Sequence, residues 1–234
     1  MTVGRSAGAE NPSGLRERKK RRTRAALLRT ALESFITKGY EETTVDEIAD
    51  AVEVSQRTFF RYFASKEDAA FALQQMMERR FVEALRARPA EEGPFDALRN
   101  SVLGTWDAIG EAITEVVPAD VHLRMLQVIE STPALLAAHL RRSLDVEEYV
   151  ARLIAAREGL DVDADPRPRV AVACFGGVMR VAGQLWVRGD DPSLRALRSL
   201  TVAHLDHLAP ALAMDWRGTA ASPTARDPQG GDAA

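Results

Sequence analysis

Apolar residues recur at helical spacing along most of this chain, and the pattern divides it into helices of very unequal length. Leu28, Ala31, Leu32, Phe35 and Ile36 keep the i, i+3, i+4, i+7, i+8 spacing of one helical face. They predict a helix from roughly Arg16 to Lys38, stopped by Gly39, with Tyr40 packed under the small helical head that this helix buttresses. Two very short elements follow: Val45, Ile48 and Ala49 fall on one face, then Val54, Phe59 and Phe63 on another. A long helix is predicted over Lys66–Arg88, with Phe71, Met76 or Met77, Phe81 and Leu85 on its apolar side and Pro89–Pro94 ending it. From Phe95 to Ile113, apolar residues stand at 95, 98, 102, 106, 109 and 113, with Trp106 at the middle. Pro118 opens the next helix, with Val121, Met125, Leu126 and Ile129 facing inward. Thr132-Pro133 reads as a cap followed by Pro at the first helical position, and that helix runs to Glu158 before Gly159.

After an acidic loop over Asp161–Pro168, the segment Arg169–Val187 is apolar on almost every side and reads as a helix buried all round. Its Gly176, Gly177 and Gly183 predict close approach of another helix. The last helix, Ser193–Leu212, has one stripe from Leu194, Leu197, Thr201, Leu205, Leu208 and Leu212. An adjoining stripe comes from Leu200, His204, His207 and Ala211. Two stripes predict two neighbours, the helix's own body and a second subunit.

The two short elements carry the sharpest local signals. Thr44 and Glu47 form a capping box, so a helix starts at Thr44. Val52-Glu53-Val54 is a turn, Ser55 a second N-cap, and Gln56 to Tyr62 the next helix. Ser65 and Asp68 repeat the capping spacing. A pair of helices this short makes a poor core but suits insertion of one helix into a DNA major groove. With Val54, Phe59 and Phe63 inward, the outer side keeps Gln56, Arg57, Thr58, Phe60 and Arg61. Gln pairs bidentately with adenine and Arg with guanine, while Thr and the Lys at 66 suit phosphate oxygens. The free N–H groups at the helix start also suit a phosphate.

Charge distribution agrees. The chain is −3 overall, yet residues 1–66 hold 13 basic and 9 acidic side chains, so that the head is +4 and the rest −7. Leu15–Arg24 (LRERKKRRTR) is densely basic, and counterion release acts locally. The single cysteine, Cys174, excludes an intramolecular disulfide or a cysteine-built zinc site. No apolar run of membrane-spanning length and no signal-peptide core is expected, which suits a reducing cytoplasm.

Thr43-Thr44-Val45, Ile48-Ala49, Val54-Ser55, Thr58, Phe60, Tyr62-Phe63 and Ser65-Lys66 together resemble the TetR family of bacterial transcriptional regulators, over roughly residues 22–68. The resemblance implies an all-α protein: a three-helix helix-turn-helix head and a larger ligand-binding and dimerisation body, about nine helices in all. The expected divisions are an N-terminal disordered arm (1–13), the head (14–66), the body (67–212) and a disordered tail (213–234). The resemblance puts Gln56 and Arg57 at base-reading positions and Thr44, Ser55, Thr58, Tyr62 and Lys66 at phosphate-contacting ones. Phe60 stands where the family usually has Tyr, so it is expected against a thymine methyl or a sugar. Glu53 stands where the family usually has Gly, and a left-handed turn there costs a side chain about 1 kcal/mol. The implied partners are a palindromic double-stranded DNA operator, a small, mostly apolar effector and a second copy of the chain. The expected role is that of a repressor released by the effector.

In the body, Trp106, Met125, Phe175, Met179 and Trp186 are candidate pocket residues, with Arg124 and Gln184 as polar anchors. His204 and His207 share a helical face, but a metal site needs further ligands, so no metal or cofactor is expected. The chain has no phosphate-binding Gly loop, nucleophile elbow or paired catalytic carboxylates, so it is not read as an enzyme. A sequence-tolerant architectural DNA-binding protein, or an enzyme or carrier using the body alone, are the alternatives.

Overall fold

The computed structural model describes residues 12–191 and 193–213, excluding the side chains of 12–13, 109–116, 119 and 209–213. The expected disordered arm and tail lie outside these residues, except that 12, 13 and 213 are helical. The described residues form ten helices and no strand. These are α1 (Pro12–Thr37), α2 (Val45–Ala51), α3 (Gln56–Tyr62), α4 (Lys66–Ala70), α5 (Ala72–Arg86), α6 (Pro94–Val116), α7 (Ala119–Ser131), α8 (Pro133–Glu158), α9 (Arg167–Arg188) and α10 (Leu194–Ala213). The all-α architecture is as expected. The tenth helix arises because the continuous helix predicted over Lys66–Arg88 is divided at Phe71.

The division has tertiary causes. Phe71 is buried, with His139 of α8 stacked on its ring at 6.2 Å and the Arg142 guanidinium over it at 5.5 Å. Across the break, Asp68 accepts one hydrogen bond from the Ala64 backbone at 3.1 Å and one from the Gln75 side chain at 2.7 Å. Asp68 therefore ties the exit of α3 to the start of α5. No Pro or Gly marks the break.

Two apolar cores hold the molecule. One joins Leu27, Leu28, Leu32 and Phe35 of α1 to Ile48, Phe59 and Phe63, then to Val121, Met125 and Ile129 of α7. The head thus rests on α7 as well as being linked through α4. The other core lies among α5, α6, α8, α9 and α10 around Leu98, Trp106, Ile154, Phe175 and Trp186.

In α9 the expected burial on all sides is not met. Val170 (58% exposed), Val181 and Leu185 face outward, while Phe175, Ala182 and Trp186 are buried against α8 and α10. Of the three glycines, only Gly176 is closely approached: a Cβ there would run into the Glu147 carboxylate of α8, whereas Gly177 and Gly183 face open space. Among the described residues α9 alone is long and apolar enough to cross a membrane, yet it carries Arg180 at mid-length and packs as a body element between α8 and α10.

Candidate DNA interface and ligand cavity

The head is assembled by its caps. Thr44 Oγ1 accepts from the Glu47 backbone at 3.2 Å, and Glu47 accepts back from the Thr44 backbone at 3.0 Å. Lys38, just after α1, closes on the Glu47 carboxylate, and this ammonium, with the Thr44 backbone, draws the Glu47 pKa down to about 2. Ser55 Oγ accepts from the Thr58 backbone at 3.2 Å and shares a 3.0 Å hydrogen bond with the Thr58 hydroxyl. Between these caps Glu53 has φ +55°, the left-handed conformation that its turn requires. It is the only non-glycine residue with positive φ among those described.

These caps aim α3. Phe59 and Phe63 are fully buried, and Arg24 lays its guanidinium over the Phe63 ring at 5.2 Å. With that side fixed, Gln56, Arg57 and Arg61 are exposed and Thr58 is half-buried. Phe60 is 48% exposed, its ring at right angles to that of Phe59 with centroids 5.6 Å apart. Tyr62 is half-buried; Arg61 stacks on its ring at 5.0 Å and donates to its hydroxyl at 3.3 Å. Thr44 and Ser55 are exposed, and because the Thr44 hydroxyl accepts a backbone N–H, its own proton remains to donate, while the Ser55 hydroxyl is also engaged with that of Thr58.

Lys66, which the family resemblance puts at a phosphate-contacting position, turns its ammonium onto backbone carbonyls. Its ammonium donates to the carbonyls of Tyr40 at 2.7 Å, Thr43 at 3.0 Å and Glu41 at 3.4 Å, and lies 4.3 Å from the centre of the Tyr40 ring. It fastens the loop between α1 and α2 to the start of α4. Tyr40, edge-on to Phe35 at 5.2 Å, has its phenol pushed up to about 12 by burial and by Glu67 and Glu41.

The body holds a partly open cavity of about 320 Å³ among α5 to α10. Of the five candidate residues, Trp106, Phe175 and Met179 line it. Met125 and Trp186 do not. Met125 is buried in the core shared with α1, because its face of α7 meets the head. Trp186 lies one ring behind the cavity, edge-on to His122 at 5.9 Å, with Nε1 donating to the Ser193 carbonyl at 3.1 Å. Arg124 is exposed and pairs with Asp120 at 3.1 Å, and Gln184 is exposed, so neither expected anchor reaches the cavity.

The polar lining includes instead Gln74, Glu78, His122, His139, Glu147 and Arg180, brought to one space by different helices. Burial lowers the His122 pKa to about 4 and, with Arg142 and Arg180, lowers that of His139. Burial raises the Glu78 carboxyl despite Arg142 at 3.3 Å. No local motif could have found these residues. Their only common property is that the fold brings them together. Among the described residues no cluster of His, Cys, Asp or Glu could hold a metal ion. His204 bonds its own helix at Leu200, 2.7 Å away, while His207 is exposed.

Comparison with known proteins bears on both halves. A family model described as bacterial regulatory proteins, tetR family, matches residues 27–73, and one described as MftR C-terminal domain matches residues 92–213. The HTH-type transcriptional regulator TcmR of Streptomyces glaucescens is 46% identical over 207 residues, covering 88% of this chain and 92% of that protein. The HTH-type transcriptional regulator EthR of Mycolicibacterium smegmatis is 28% identical over 170 residues, covering 63% and 77%. A solved structure of a transcriptional regulator (TerR/AcrR family) from Aquifex aeolicus VF5 superposes with a TM-score of 0.50 at 14% identity, covering 81% of this chain and 99% of that one, a likeness of fold. With a capped helix-turn-helix head, a helical body and these relatives along nearly its whole length, the chain belongs to the TetR family of transcriptional regulators.

Proposed function

We propose that the protein is a homodimeric repressor that reads a palindromic operator with α3 and leaves it when a small, mostly apolar effector fills the body cavity. The observation that carries the DNA reading is the division of α3 into a locked side, Phe59 and Phe63, and an exposed side, Gln56, Arg57 and Arg61. Gln56 and Arg57 are then the base readers. Thr44, Ser55, Thr58 and Tyr62 grip phosphates, Arg61 supports that grip beside Tyr62, and Phe60 meets a thymine methyl or a sugar. Lys66 is assigned to the loop clamp and not to phosphate, because its ammonium donors converge on backbone carbonyls.

Dimerisation is assigned to α9 and α10. Val170, Cys174, Gly177, Val181 and Leu185 follow one another at three- and four-residue steps along α9, with Val170, Val181 and Leu185 exposed and Cys174 and Gly177 half-buried. Two recognition helices then meet half-sites about one helical turn apart or at a longer spacing of the same phase. The effector's route to the head runs through adjacent residues of α5: Gln74 lines the cavity, and Gln75 holds Asp68, which holds the Ala64 backbone at the exit of α3. A coupling of about 1–3 kcal/mol, roughly 5- to 150-fold in affinity, suffices for regulation.

Selection of binding sites from random duplex with the full-length protein tests the operator reading. A palindrome should emerge, and Arg57→Ala should relax preference at one base pair per half-site by about 1–3 kcal/mol. Equal loss on selected and random DNA would refute base reading by Arg57. Replacing Val181 and Leu185 by Glu should give monomers by light scattering, and dimers that persist would refute the α9 interface.

A further inference from the structure

The cavity contains polar atoms that the protein leaves without partners. Both side-chain atoms of the Gln74 carboxamide, Nε2 and Oε1, are buried and have no hydrogen-bond partner in the protein, and the same holds for His122 Nδ1. His122 as a whole is 3% exposed, and both residues line the cavity. Folded proteins seldom bury a carboxamide with neither atom paired, since each orphaned group forfeits its hydration. Such a residue persists where something else completes it.

Most of the remaining lining is apolar. Phe81 and Phe175 stack 5.9 Å apart at an interplanar angle of 10°, with Trp106, Met77 and Met179 around them. Charges there are balanced in pairs: Glu78 with Arg142 at 3.3 Å, and Glu147 with Arg180 at 3.4 Å. Burial keeps His122 neutral near pH 7, so it can donate or accept according to tautomer. An ionic ligand would enter this site without an unpaired counter-charge to meet it.

We propose that the cavity takes an uncharged aromatic molecule carrying a hydrogen-bond donor and an acceptor side by side, held by the Gln74 carboxamide on α5 and the His122 imidazole on α7. This rests on the cavity being the effector site. A ligand amide, or a hydroxyl beside a carbonyl, meets Gln74 reciprocally, whichever way its amide is turned. The two anchors also stand on the two helices through which the body meets the head: α5 through Gln75 and Asp68, and α7 through its packing on α1.

Calorimetric titration of the full-length protein with 2-naphthamide, its apolar isostere 2-isopropylnaphthalene and the anion 2-naphthoate tests this. At pH 7.5, naphthamide should bind at least tenfold more tightly than naphthoate. In Gln74→Leu, and separately in His122→Phe, the affinity ratio of naphthamide to the isostere should fall about tenfold, or 1.4 kcal/mol, while isostere binding persists and reports an intact cavity. An unchanged ratio in either variant, or naphthoate binding as tightly as naphthamide, would overturn the assignment and leave the cavity as an effector site. Failure of all three compounds to bind the unmodified protein would overturn the cavity reading and this inference with it.

Discussion

Replacing Lys66 by Met separates two roles that one lysine at this position could play. The family pattern gives it to a DNA phosphate, whereas here its ammonium reaches the carbonyls of Tyr40, Thr43 and Glu41, and its charge lies 4.3 Å from the Tyr40 ring centre. Met retains most of the aliphatic stem, so packing changes little. Two hydrogen bonds of 2.7 and 3.0 Å are lost outright, and the 3.4 Å contact is weak. A hydrogen bond from a charged donor is worth about 1.5–3 kcal/mol, and the cation–π contact about 0.5–1 kcal/mol. Sharing of one ammonium and the half-exposed site reduce the sum, leaving about 2–3 kcal/mol. For a body of this size that corresponds to a fall of roughly 5–10 °C in Tm. Lys66→Arg should recover only part of it, because a planar fork does not converge on three carbonyls as an ammonium does. Thermal unfolding by circular dichroism, followed by DNA titration across salt concentrations, gives both readouts. A Tm unchanged within about 1 °C, with affinity falling on every duplex and the salt slope reduced by about 0.9, would refute the clamp and return Lys66 to the phosphate backbone.

Glu53→Gly should relieve the left-handed strain at φ +55°, a gain of about 1 kcal/mol that greater freedom of the unfolded chain partly offsets. It should also tighten binding to random duplex by removing a carboxylate from the DNA side; a lower Tm would refute the strain. Glu47, drawn down from 4.5 to about 2, contributes stability that is complete above pH 4.5 and lost as pH falls toward 2. Acid unfolding of Glu47→Gln should therefore lack that dependence, and an unaltered acid limb would count against the Lys38–Glu47 contact. His122, lowered from 6.5 to about 4, is protonated first in the unfolded chain, so stability should decline as pH drops through this window. The decline should approach about 3 kcal/mol and be missing in His122→Phe, as urea unfolding at successive pH values would reveal.

What was legible in the sequence, and what was not, follows the range of the interactions involved. Thr44 with Glu47, and Ser55 with Thr58, act across three residues, so their spacing alone predicts the caps, and with them the start of α2 and the full span of α3. The inward set Phe59 and Phe63 follows from the same short register, and so do the exposed Gln56 and Arg57. Lys66 eluded this reasoning because its partners lie 23 to 26 residues back along the chain. The break at Phe71 eluded it for a similar reason: the ring is gripped by His139 and Arg142 of a helix that begins only at Pro133. In the cavity the large apolar side chains Trp106, Phe175 and Met179 were visible as candidates. Nothing local could separate them from Met125 and Trp186, since membership depends on which face of each helix meets a neighbour. Gln74 and His122 carry no motif at all. An unpaired carboxamide among apolar neighbours becomes meaningful only once the surrounding helices exclude every partner the chain could offer, and that exclusion is a property of the assembled body. Recognition of DNA rests on an element whose shape is fixed locally, while recognition of the effector rests on atoms that five or six helices must assemble. The head's role could therefore be read from a few dozen residues, and the chemistry of the ligand only from the fold.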